Sequence, residues 1–495
     1  MLGGCSARNY MIYHRSSAGA YDMWADQVGD DNYTFQNFLP YFEKSLNFTP
    51  PNTELQLQNA TPEYDSSLLG DGTGPLSVSY PNWAYAFPTW AIKALAQSGI
   101  SVLKQGFSNG ALLGQSYGTF TIDYDTMTRS SSETAFLRNS LQDPNYYLYP
   151  LTMAQKIIFD GSGTATGVEV ETLGAKYAIS ASKEVILSAG AIGTPQLLQI
   201  SGVGPADLLR SIGIPIVADR RGVGQNLQDH IVFGISRGVN AITASSLGDA
   251  AFAEQQADLF SRKAAGLLTT PGADLLAFEK LPNATRGTFT NSTLSALATN
   301  FPSDWPEAEY IALSGYMGNL TVVTTADPED GTAYATINVI LVSPLSRGSV
   351  NITSSDASVA PAIDPQFLTN QADVEVVVGA FKRVRQFWAS SELDGFLVGG
   401  EKYPGPDVQT DAQIEASIRK SFQTIFHGSC TCAMGTSDDD NSVVDPQARV
   451  YGVQGLRVVD ASAFPFLPPG HPQSTVCEFS PDNPRRTTGR LTRSP

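Results

Sequence analysis

Near neutral pH, histidine is the side chain best suited to pass a proton, and this chain has four: His14, His230, His427 and His471. Two of them lie in loop-like sequence. His427 follows Phe426 in Phe426-His427-Gly428-Ser429-Cys430, and His471 stands in Pro468-Pro469-Gly470-His471-Pro472-Gln473. A histidine so placed can act as a general base toward a substrate proton. It can equally be a structural hydrogen-bonder, and the residues alone leave both readings open. Pro472 suits the first position of a helix, which would run through Gln473-Ser474-Thr475-Val476 and aim its positive end at whatever His471 faces.

A second candidate lies upstream. Glu184-Val185-Ile186-Leu187-Ser188 is a continuous apolar run, as expected of a buried strand, and it ends in Ala189-Gly190-Ala191-Ile192-Gly193. Thr194 is predicted to cap a helix with Pro195 as its first residue. Leu197, Leu198 and Ile200 give that helix an apolar face, and Gly202 ends it. A strand, a glycine turn and a helix start together present backbone N–H groups to an anion. An ordinary βα unit has the same pattern.

The elements that must carry these residues follow from periodicity. Residues 1–50 read as a glycine-rich start followed by aromatic helices, and 50–90 as extended loop rich in Pro, Asn and Gly. Residues 155–159 and 167–171 form a hairpin about Gly161-Ser162-Gly163. Residues 333–342 and 348–352 are strands, 373–388 are helical, and 455–460 form a short buried strand. No internal repeat or low-complexity tract occurs. The expected fold class is α/β plus α+β, with a second domain inserted between parts of the first.

Composition narrows the function. A length of 495 residues implies two or three domains. A net charge of −17 repels phosphate backbones, so nucleic acid is not an expected partner. No apolar run is long enough to cross a bilayer. The N-terminus has neither a basic nor an apolar signal region. Seven N-x-S/T sites, at Asn32, Asn47, Asn59, Asn283, Asn291, Asn319 and Asn351, suggest a glycoprotein of secretory ancestry, or chance in a Ser/Thr-rich chain. The four cysteines, Cys5, Cys430, Cys432 and Cys477, are too few for a disulfide framework and lack zinc-site spacing, so no metal and buried free thiols are expected.

Residues 190–204, Gly190-Ala191-Ile192-Gly193-Thr194-Pro195-Gln196-Leu197-Leu198-Gln199-Ile200-Ser201-Gly202-Val203-Gly204, resemble the second signature of the glucose–methanol–choline oxidoreductase family at every constrained position. Gly222-Val223-Gly224-Gln225-Asn226-Leu227-Gln228-Asp229-His230 is similar to its next motif. The stretch Gly452 to Ser462, continued to His471-Pro472-Gln473, is similar to its C-terminal motif. The 44-position separation of His427 and His471 is close to that of the family's two active-site groups. The style of the first signature is similar to that of fungal secondary-metabolite members and aryl-alcohol oxidases.

The resemblance implies FAD as cofactor and a small-molecule alcohol, primary or secondary, as substrate. The acceptor that reoxidises the flavin, oxygen or another, is left open. His427 would take the alcohol proton as hydride passes to flavin N5, and His471 would bond the substrate oxygen and help hold the flavin. Gly3, Gly4, Ser6, Ala7 and Asn9 would lie against pyrophosphate and ring, Asp460 and Ala461 against pyrophosphate or ribityl chain, and Ala154 against adenine. Pro472 and Gln473 would adjoin the flavin, where a helix start favours the negative charge of the reduced ring. Phe426 would wall an apolar or aryl substrate.

The implied FAD-binding domain is Rossmann-like and is assembled from residues 1–20, 130–230 and 440–480. Residues 21–129 form a lid or connecting region, 231–439 an antiparallel-sheet substrate domain, and 481–495 a divergent tail. The family's first βαβ unit, with its G-x-G-x-x-G turn, is expected to be missing, so that this chain alone would bind FAD poorly. Cys5 and Arg8 depart from the family's first signature. Cyanohydrin cleavage on the same fold, or a non-catalytic remnant, are the alternatives.

Overall fold

A computed structural model describes residues 2–56, 58–319, 328 and 330–478. The expected tail, 481–495, lies outside the described residues. The largest element is a seven-stranded antiparallel sheet. Its order is Leu397–Tyr403, Ile231–Val239, Tyr334–Leu341, Ala308–Leu313, Leu275–Glu279 and Gly114–Tyr117, and Gln423–Thr424 pairs alongside the start of Ile231–Val239.

Alternation along the strands gives this sheet two different faces. Ile231, Phe233, Ile235, Leu275, Ala277, Tyr310, Ala312, Ile337 and Val339 point to one side and pack with the long helix Gln371–Trp388. Val232, Leu276, Phe278, Ile311 and Ile340 point to the other, against Ile12, Phe120 and Ile122. Glu309 precedes Tyr310 and so shares the second face, which by the same alternation also carries Asn338, Thr336 and Ser236. The region expected to be lid is part of this sheet: Gly114–Tyr117 forms its edge by pairing with Leu275–Phe278. The sheet therefore crosses the boundary drawn at residue 231, because the edge of Leu275–Glu279 needs a hydrogen-bonding partner and the nearest strand supplies it.

The other half of the molecule contains the expected hairpin, Thr152–Phe159 with Ala165–Thr172, plus a third strand, Ala175–Ser180. Val185–Leu187 does not join them. It pairs in parallel with Leu456–Val458, 271 positions away. The strand is not buried on both sides as expected, because Ile186 is half exposed between two buried neighbours. Ahead of it, the helices Ala18–Val28 and Phe35–Ser45 bring Tyr21, Trp24, Tyr33, Phe38 and Phe42 into one core, with Trp24 stacked on Tyr33 at 5.3 Å.

The helix after Val185–Leu187 begins earlier than predicted. It runs Gly190–Ile200, entered through Gly190 at φ 77°, and Pro195 lies inside it. Thr194 is not the cap. Its hydroxyl donates to Asp460 at 2.6 Å, and Gly190 N–H donates to the same carboxylate oxygen at 2.9 Å. Proline lacks the N–H that would bond four residues back to Ala191. Thr431 Oγ1 supplies that bond instead, donating to the Ala191 carbonyl at 2.7 Å. A distant hydroxyl thus replaces a missing amide, and sequence windows do not reveal it. The other Asp460 oxygen accepts from Ser462 N–H at 2.7 Å.

Asp460 therefore fixes the glycine turn to the C-terminal segment. Asp460→Ala strips the acceptor from one buried hydroxyl and two amides, and should lower unfolding free energy by about 3 kcal/mol or more. Urea unfolding measures this; a loss under about 1 kcal/mol would mean the pin is not needed.

Candidate active site

Strand register brings His427 to His230. Ile231–Val232 pairs with Gln423–Thr424, Ile425 N–H donates to the His230 carbonyl at 3.0 Å, and Gln228 and Ser429 exchange backbone bonds at 2.9 and 3.1 Å. Between these points the chain bulges through Phe426, at φ 64°, and turns the His427 ring inward. Asp229 fastens the bulge. One oxygen accepts the N–H groups of His230 and His427, both at 2.9 Å, and the other accepts the Thr424 hydroxyl. The two rings meet through Nδ1 and Nδ1 at 3.1 Å.

His471 arrives from the opposite side. Its backbone N–H donates to His14 Nε2 at 3.0 Å, and Ser474 Oγ donates to the His14 carbonyl at 2.6 Å. Gly470, at φ 86°, leaves no alternative residue: a Cβ there would overlap the His14 ring. Ring Nε2 of His471 bonds Glu309 Oε1 at 2.9 Å on the floor of the sheet. The His427 and His471 rings are 4.9 Å apart, edge to face at 78°. All four histidines of the chain thus form one cluster, His14 touching His471, His471 touching His427, and His427 touching His230.

The bonds fix most of the protons. His14 Nδ1 lies 2.9 Å from the Arg15 carbonyl and so carries its hydrogen, leaving Nε2 to accept from His471. Glu309 Oε1 and His471 Nε2 share one hydrogen bond, whose direction depends on the tautomer of the ring. His427 Nε2 and His471 Nδ1 have no hydrogen-bond partner among the described residues. Burial, then the nearby His471, lowers His14 and His230 to about 3. Burial, followed by the three surrounding imidazoles, holds His427 well below its ordinary value. His14, Glu309 and His471 form a cluster of metal-ligand type. The His14 lone pair is already taken by the His471 amide, so the trio has no third donor to give a metal.

The remaining expected site residues fall in two groups. Gly3 and Gly4, at φ 87° and 51°, open a tight turn through Ala7. There Ser6 Oγ donates to the Gly3 carbonyl at 2.6 Å and accepts from Ser132 N–H at 2.9 Å. Asn9 joins this turn to the C-terminal segment: its Nδ2 donates to Gln473 Oε1 at 2.8 Å, and its Oδ1 accepts from Arg129 at 2.7 Å. Pro472 accepts the first bond of the short helix Gln473–Glu478. The Ala461 carbonyl accepts from Cys430 N–H at 3.0 Å.

The Asp460 carboxylate bonds Gly190, Thr194 and Ser462. Phe426 is 76% exposed. Ala154, paired with Val170, is exposed on the hairpin. Cys430 and Cys432 are buried thiols, but Cys5 is exposed because it rides on the outside of the Gly3–Gly4 turn. His14, His230 and Glu309 are further site residues. His230 stands in the quoted Gly222–His230 motif, but only the register shows what it touches; nothing in the local sequence marks Glu309.

These residues fit a flavin dinucleotide. The positive-φ glycines Gly4 and Gly190 have open space where a side chain would stand, so a ligand can approach their backbone closely.

Comparison with known proteins agrees. The GMC oxidoreductase family model matches residues 1–232 and, with its C-terminal part, 344–479. The patulin synthase of Aspergillus clavatus is 51% identical over 96% of this chain and 76% of its own length. Among solved structures, an FAD-dependent oxidoreductase from Chaetomium thermophilum superposes with TM-score 0.86 at 29% identity, covering 97% of this chain and 84% of that one. A fungal aryl-alcohol oxidase superposes with TM-score 0.83 at 26% identity over the same shares. The chain belongs to the GMC oxidoreductase family. It is an FAD-dependent alcohol oxidoreductase. The chain spans about three quarters of the length of its patulin synthase relative.

The lowered His427 sets a pH dependence. A base works when unprotonated, and depression of its pKa keeps it so as pH falls. Flavin reduction by alcohol should therefore stay constant from neutrality down through 6.5 and fall only below it. Stopped-flow rates across pH measure this, and an acid limb centred at 6.5 or above would contradict it.

Proposed function

We propose that His427 is the general base, and His471 the oxygen-binding partner, in oxidation of an apolar or aryl alcohol of secondary-metabolite type. The observation that carries this reading is the pair of rings 4.9 Å apart, whose His427 Nε2 and His471 Nδ1 have no hydrogen-bond partner among the described residues. One hydroxyl can reach both. FAD, when bound, supplies the N5 atom that accepts the hydride from the carbinol carbon. His427 Nε2 takes the hydroxyl proton, so the products are the carbonyl compound and two electrons stored in the cofactor. His471 steadies the alkoxide-like oxygen while Glu309 holds its ring. Such a positioned base contributes roughly 10²–10⁴ in rate.

An aryl alcohol is supported by the likeness to the fungal aryl-alcohol oxidase structure. The name of the patulin synthase relative supports the secondary-metabolite class. We further assign residues 1–20, 130–230 and 440–480 to the FAD-binding domain, supported by the Gly190–Asp460 and Asn9–Gln473 bonds that tie the three pieces together. Gly3, Gly4, Ser6, Ala7, Asn9, Ala461, Pro472 and Gln473 would hold the cofactor. Asp460 serves it indirectly, by fixing the Gly190 turn. Glycosylation is supported by the exposure of Asn32, Asn47, Asn59, Asn283 and Asn291.

The test is anaerobic bleaching of the FAD-loaded protein by 4-methoxybenzyl alcohol. His427→Ala should keep its flavin and reduce it about 10²-fold more slowly or worse. Reduction at the wild-type rate would remove His427 from the mechanism. Cleavage of a cyanohydrin with no change in flavin colour would favour the lyase reading.

A further inference from the structure

We infer that His230 is a positioning residue that sets the tautomer of His427 and thereby makes it a base. Two Nδ1 atoms 3.1 Å apart must share one proton, for two lone pairs or two N–H groups would repel. Only two neutral arrangements exist. If His427 Nδ1 carries the proton and donates it to His230, then His427 Nε2 keeps its lone pair and can accept from an alcohol. If His230 Nδ1 carries it, His427 Nε2 is protonated and cannot.

The base role proposed for His427 selects the first arrangement, because only then does His427 Nε2 keep its lone pair. With the His230 hydrogen on Nε2, its Nδ1 is left to accept from His427. The rings cannot separate to escape the choice, because Asp229 holds both backbone amides and Ile425 N–H holds the His230 carbonyl. Burial lowers both groups, so the pair rests neutral. When the alcohol O–H bond breaks and a proton joins His427 Nε2, the positive ring is still donating through Nδ1–H, now in a charge-assisted bond to His230. No further proton need move.

This rests on His427 being the base, but its direct readout does not. With four histidines in the chain, ¹⁵N-histidine labelling of the FAD-loaded protein gives four imidazoles, assignable by single substitution. Long-range ¹H–¹⁵N spectra should show His427 protonated at Nδ1 and bare at Nε2. His230→Phe removes the acceptor and should move the His427 proton to Nε2, in part or wholly. Flavin reduction should fall roughly 10²-fold with little change in KM, as expected of a base held in the wrong tautomer. His230→Gln offers a side-chain oxygen to the same N–H and should recover the Nδ1–H tautomer and most of the rate. A wild-type His427 protonated at Nε2, or an unaltered Nδ1–H tautomer in His230→Phe, would overturn the inference. The wild-type spectrum decides even if His230→Phe does not fold. A correct tautomer together with a wild-type rate in His427→Ala would instead count against the base assignment alone.

Discussion

Four imidazoles packed edge to face in one cluster can hold little positive charge between them. His14, His230 and His427 are desolvated by burial, and each added charge raises the cost of the next. That constraint organises the site. His14 and His230 are kept neutral by burial and serve as hydrogen-bonding frame. Among the described residues Glu309 is the one carboxylate that bonds an imidazole ring nitrogen, and it bonds His471.

The frame depends in turn on the C-terminal segment. Leu456–Val458 extends the strand Val185–Leu187, Asp460 closes the Gly190 turn, and residues 461–463 pair with 430–434 just beyond His427. Gly470 brings the chain against His14, and Gln473, Ser474 and Thr475 then bond Asn9, His14 and Tyr21 near the start of the chain. Each of these contacts joins residues more than 250 positions apart or fixes a catalytic loop, so the geometry of the two candidate histidines is a property of the whole fold.

What the sequence disclosed and what it concealed divide along that line. The signature at residues 190–204, the hairpin, the long strand of 334–341 and the helix of 371–388 are local patterns, and local patterns were legible. His427 and His471 stand out by their loop settings and by a separation close to that of the family's active-site pair; His471 also lies in the C-terminal motif. Thr194 was misread as a cap because Thr-Pro is a local helix-start signal, whereas its hydroxyl partner, Asp460, lies 266 positions away. Glu309 was invisible: in Ala308-Glu309-Tyr310 it reads as an ordinary strand residue, and only the pairing with Phe278 and Ile340 turns it toward His471. The edge strand Gly114–Tyr117 has no alternation strong enough to assign it to a sheet whose other members start more than a hundred residues later.

The central claim is that this chain oxidises an alcohol by loss of a carbon-bound hydrogen as hydride while an imidazole takes the hydroxyl proton. The most direct measurement is the rate of anaerobic bleaching of the FAD-loaded protein by an aryl alcohol against the same alcohol carrying deuterium at the carbinol carbon. The account predicts complete bleaching to the two-electron level and a clear primary slowing by deuterium. Bleaching at equal rates with both alcohols under conditions where reduction limits the signal, or no bleaching while FAD stays bound, would contradict it.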